Sequence, residues 1–138
     1  MLVVLIALVA CTDDAPTSKS GWVDDGSPHL EIVSPAEGDS VSSCFDIEVE
    51  VFNYSIRSPV GVDANVEGEG HWHIVFDARY FDCEDLVCAA QLTLDAAADV
   101  PIVARLARNN HADFEYEGAI VEDTIAVSYD GTVCPVAD

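Results

Sequence analysis

Positive charge is scarce in this chain. Of 138 residues, 5 are Lys or Arg and 26 are Asp or Glu, a formal net charge of −21. Lys19 is the sole lysine. Such a chain repels nucleic acid and anionic membrane surfaces, so neither is expected as an electrostatic partner. The acidity itself reads as a solubility adaptation, with cation attraction as the other reading. No apolar run approaches the roughly 20 residues needed to span a bilayer. The chain has no Gly-x-Ser-x-Gly elbow, phosphate-binding loop or His-Glu-x-x-His helix, and its serines are not grouped with His and Asp. It is therefore expected not to be an enzyme. Asp63-x-Asn65-x-Glu67-Gly68 matches the first half of a calcium loop, but Ile74 stands where the bidentate Glu belongs.

What is present begins with Cys11. It follows MLVVLIALVA, a run that fits the apolar region of a signal peptide. Leu8-Val9-Ala10-Cys11 resembles the lipobox of bacterial lipoproteins, in which the cysteine is lipidated and becomes the mature N-terminus. Lys and Arg are missing ahead of the run, which a true start upstream of Met1 explains. The expected organisation is a signal peptide over residues 1–10, a lipidated flexible tether over 11–28 and one domain over 29–138. The expected location is the bacterial cell envelope, at the outer membrane or its periplasmic face. The membrane is met through the lipid anchor, and an envelope protein is an open candidate partner. Oligomeric state stays open.

Four further cysteines remain, Cys44, Cys83, Cys88 and Cys134, an even number in an exported chain. That predicts two disulfides. Cys83–Cys88 closes a short local loop, which leaves Cys44–Cys134 to tie the start of the domain to its end. In the chain-entropy description the long bridge is worth about 4 kcal/mol. A four-cysteine metal cluster is the rival, but no Cys-x-x-Cys pair exists.

From His29 onward the pattern is β. Phe45 to Val51 alternates apolar and acidic residues, as a half-buried strand does. His71–Asp77, Gln91–Asp95, Pro101–Asn109 and Thr124–Tyr129 supply further strands, and Leu30–Val33 a short first one. Pro101 and its β-branched neighbours favour a strand over a helix there. Short strands separated by turn residues predict an all-β immunoglobulin-like antiparallel sandwich of about seven strands.

The chemistry-bearing segment is Gly70-His71-Trp72-His73. Side chains alternate across a strand, so Trp72, Ile74 and Phe76 make the core face while His71 and His73 project together on the other. They stand about 7 Å apart along the strand, close enough to share one ion. In an immunoglobulin-like sandwich, strands C (71–77) and F (101–109) are antiparallel neighbours, which brings His111 beside His71 and His73. The four cysteines are expected at the opposite end. Imidazole ligation suits copper or zinc. Asp77 reads as a turn residue.

Leu30 to Val41 contains Ser34-Pro35-x-x-Gly38-x-x-Val41, and downstream comes Gly70-His71-Trp72-His73-Ile74-Val75-Phe76-Asp77. This pair of segments resembles an uncharacterised family of exported bacterial immunoglobulin-like domains. That family joins such an opening to a Gly-His-His-His strand ending in Asp, and carries a histidine after a late strand, where His111 stands. The likeness covers about residues 30–129. Gly70, His71, His73 and Asp77 match, while Trp72 replaces the middle histidine. The opening also resembles exported copper-resistance domains, whose first histidine is a free N-terminus. His29 lies behind the tether, so that role does not carry over. The resemblance implies a fold and a site but no reaction. Two functions compete: a domain that stores or delivers copper or zinc, and a structural or interaction module whose histidines organise a loop.

Overall fold

The computed structural model describes residues 19, 21–62 and 64–135. Cys11, the apolar run 1–10 and Asp63 of the calcium-like loop lie outside the described residues. The strands are β1 (His29–Ser34), β2 (Ser40–Val41), β3 (Cys44–Phe52), β4 (Ser55–Ile56), β5 (Glu69–Phe76), β6 (Arg79–Cys83), β7 (Val87–Gln91), β8 (Ala98–Arg108), β9 (Glu115–Tyr116), β10 (Ala119–Ile120) and β11 (Glu122–Tyr129). The described chain is all-β, with seven strands of five residues or more and four of two residues.

A three-stranded sheet runs β1-β3-β7, and a six-stranded curled sheet runs β2-β11-β8-β5-β4. β4 and β6 share the free edge of β5, β4 along its first residues and β6 along the rest. Two pairings, β2 with β11 and β4 with β5, are parallel, so the expected wholly antiparallel arrangement is corrected. Both belong to two-residue strands that reach a sheet edge from a loop.

One apolar cluster joins the two sheets. The smaller sheet supplies Leu30, Ile32, Ile47, Val49 and Ala90; the larger supplies Trp72, Ile74, Val100, Ile102, Leu106, Ile125 and Val127. The alternation in β3 works as expected, with Ile47 and Val49 buried and Asp46 and Glu48 exposed. Trp72 is wholly buried, and its indole N–H donates to the Asp85 carbonyl at 2.7 Å. Pro101 is tolerated inside β8 because the pairing with β5 stops at Val75↔Val103. The expected strand Gln91–Asp95 is corrected to Val87–Gln91, since its partner β3 begins at Cys44, opposite Gln91.

Both disulfides form as paired from the sequence, with Cα–Cα separations of 5.7 Å for Cys44–Cys134 and 5.6 Å for Cys83–Cys88. Their placement differs. Cys83 sits opposite Trp72 in the β5–β6 ladder, beside the histidines, so only Cys44–Cys134 occupies the far end. The end of the segment read as a tether lies against the domain. The Lys19 ammonium donates to the Ile32 carbonyl at 3.0 Å, and Trp22 stacks on His29 at 4.4 Å between ring centres.

Candidate metal centre

Gly70 opens the site. A side chain there would collide with the Ala107 carbonyl and the Tyr54 hydroxyl. That hydroxyl lies 2.9 Å from the Ala107 carbonyl and 3.0 Å from that of Glu69, and donates between them. The absent Cβ lets β5 and β8 close tightly just before the histidines. Burial raises the Tyr54 pKa to about 12, so the phenol stays a donor.

In the β5–β8 ladder His71 pairs with Ala107 and His73 with Arg105. The sequence placed both imidazoles on an outward face. They are instead buried, His71 fully and His73 to 3% exposure. Cover comes from two sides: β6 brings Tyr80 and Asp82 against His73, and a chain reversal after β8 brings His111 against His71. The His111 amide donates to the Arg108 carbonyl at 2.9 Å, and that of Arg108 to the Ala112 carbonyl at 2.8 Å. His111 itself takes φ 63°, the left-handed region, which folds the segment back over β5. Asp113 then bridges to Ala107, and its carboxylate meets the Arg105 guanidinium at 2.9 Å.

The three histidines named from the sequence come together, and a fourth residue joins them. The Nε2 of His71 lies 2.9 Å from the Nε2 of His73 and 3.2 Å from the Nδ1 of His111. Asp82 Oδ1 lies 3.1 Å from His73, 3.4 Å from His111 and 3.8 Å from His71. All four atoms fall within 4.8 Å of one another. Ligands at about 2.0–2.1 Å from a zinc ion, arranged tetrahedrally, stand about 3.3 Å apart. The spacings straddle that value.

Asp82 was missed because β6 was missed. Asp77 and Ala78 both take positive φ, 47° and 58°, and form a two-residue turn between β5 and β6. That turn sets Asp82 opposite His73. Asp77 was recognised as a turn residue, but Ala78 is a poor signal for a position that glycine normally fills.

Hydrogen bonding among the imidazoles does not account for the cluster. One ring nitrogen offers either one N–H or one lone pair. His71 Nε2 is within 3.2 Å of two other imidazole nitrogens and can satisfy one of them. The Nδ1 atoms of His71 and His73 are buried without a hydrogen-bond partner among the described residues. Burial, then the neighbouring His73 and His111, press the His71 pKa down to about 4. Burial also lowers that of His73, against the pull of Asp82. Neutral imidazoles with converging lone pairs and one carboxylate suit a divalent cation. Thiolate ligation is excluded here, since the four described cysteines are paired in disulfides.

No family model matches this chain, and no curated protein does. Among solved structures it is similar to the endo-beta-1,4-mannanase from Thermotoga petrophila, with a TM-score of 0.47 and 11% identity, over 77% of this chain and 20% of that one. The chain thus spans a fifth of that enzyme's length. The expectation of a non-enzyme is withdrawn: it rested on missing motifs alone, and a missing motif excludes no activity. At that identity and score the likeness assigns no activity to this chain.

Proposed function

We propose that this chain is a lipid-anchored protein of the bacterial cell envelope whose immunoglobulin-like domain holds one copper or zinc ion through His71, His73, His111 and Asp82, for storage or delivery. The observation that carries the reading is the convergence of three imidazole nitrogens and one carboxylate oxygen on a single point. The two disulfides fit an oxidising compartment outside the cytoplasm. The lipobox-like run ending at Cys11 supports the anchor, and the Cys11→Ser chain is expected in the soluble fraction; unchanged membrane retention would refute the anchor. Two sheets sharing one core, with β5 and β8 as antiparallel neighbours, support the immunoglobulin-like reading.

The deciding experiment is calorimetric titration of the purified chain with Cu(II), Cu(I) and Zn(II), beside a His71→Ala/His73→Ala variant. The expected result is one ion per chain, lost in the variant. Equal binding by both would mean that the acidic surface holds the ions, and would leave the histidines the role of organising a loop.

A further inference from the structure

The geometry points to an open coordination position at this centre, suited to a neutral nitrogen donor such as an imidazole or an amine and unsuited to an anion. The inference rests on the metal reading above and concerns what the held ion can meet. Burial of the four ligands is lopsided. His71 and His73 are buried and make a floor, whereas the side chains of Asp82 and His111 are half exposed and make a rim. Over the rim lies a cavity of about 360 Å³ lined by His73, Tyr80, Asp82, His111 and Asp113. An ion seated among the four ligand atoms therefore has protein behind it and open space in front. Zinc expands to five ligands and copper(II) accepts further ones, so an approaching donor can bind without displacing a protein ligand.

Charge selects the donor. Two carboxylates, Asp82 and Asp113, line the cavity. Arg105, the cation paired with Asp113, is divided between Asp113 at 2.9 Å and Glu122 at 2.6 Å. Those three carboxylates and one guanidinium, −2 together, cancel the charge of a divalent ion locally, which leaves −19 of the chain's −21 to repel anions. Shape agrees. The exposed Tyr80 ring lines the cavity, perpendicular to His73 with 5.6 Å between ring centres, and gives an incoming planar ring an aromatic surface to pack on. A histidine side chain of another protein meets these requirements.

The test uses the purified chain loaded with one Cu(II), followed by electron paramagnetic resonance and visible absorption during titration with imidazole or azide. Imidazole is expected to perturb both spectra at a concentration about tenfold below that needed for azide, with the copper-to-protein ratio unchanged. In Tyr80→Ala the imidazole response shifts several-fold to higher concentration, while copper stoichiometry and the azide response stay the same. A spectral response to azide at equal or lower concentration overturns the donor class. No response to either probe overturns the open position, and an unaltered imidazole response in Tyr80→Ala overturns the role of the Tyr80 ring. If Cu(II) fails to bind, or binds the His71→Ala/His73→Ala variant equally, the metal reading itself falls and this inference with it.

Discussion

His111 joins a place in the candidate metal centre to a backbone cost. Its φ of 63° lies where a Cβ is crowded, and a left-handed non-glycine residue costs on the order of 1–2 kcal/mol. Glycine at this position keeps the turn without the crowding. His111→Gly is therefore expected to be more stable than His111→Ala by about 1 kcal/mol in chemical denaturation, while both lose metal affinity by at least about tenfold. Equal stability of the two variants would show that the turn is not strained. Protonation acts at the same scale. His71 holds its proton less tightly in the folded state, with a pKa of about 4 against an ordinary 6.5. Between those values the unfolded chain binds more protons, so stability falls as pH drops through this window and is fully present above it. Denaturation midpoints of the metal-free chain should decline from pH 6.5 toward 4, and a His71→Gln variant should flatten that decline.

The elements that matter most are β5, its partner β8 and the hairpin that returns as β6. The tight approach of β5 to β8 depends on Gly70, whose missing side chain leaves room for the Ala107 carbonyl and the Tyr54 hydroxyl. Backbone on one side cannot yield as a flexible side chain can. Gly70→Ala should thus destabilise the domain by about 1–3 kcal/mol and move His71 relative to His111, weakening metal binding in the fraction that folds. Unchanged thermal stability and metal affinity would show that the two strands adjust to the added methyl group. Gly68 plays a different part: it takes φ 72° with open space around it, so it serves the turn and not the close contact. The hairpin is equally specific. Its two-residue turn fixes the register that pairs His73 with Asp82, and a one-residue slip would send Asp82 to the core face.

Across the molecule the two disulfides serve separate ends. Cys44–Cys134 spans 90 residues far from the histidines, while Cys83–Cys88 closes five residues beside Asp82. Replacing Cys44 and Cys134 by Ser should cost about 4 kcal/mol of stability and leave the metal affinity of the folded chain unchanged. Replacing Cys83 and Cys88 should cost about 2 kcal/mol in the same description, yet lower metal affinity, because Cys83 is the buried neighbour that anchors Asp82 in β6. Denaturation curves and metal titrations of the two variants separate these effects. The reverse pattern, with affinity lost in the Cys44/Cys134 variant alone, would mean that the site depends on the global closure of the domain.

Alternation alone determined that Phe45–Val51 is a half-buried strand and that Trp72, Ile74 and Phe76 face the core, because strand period 2 is written directly in the residue order. Cysteine count and spacing determined both disulfides. The three histidines were legible because adjacent antiparallel strands bring the start of one beside the end of the next. Tertiary structure alone decided that His71 and His73 are buried, since their cover comes from β6 and from a reversal at His111 that carries no glycine to announce it. It alone supplied Asp82, whose place depends on a turn through Ala78. Backbone conformations that a side chain disfavours leave little trace in composition, and at both turns the surrounding packing, not local propensity, holds the chain in place.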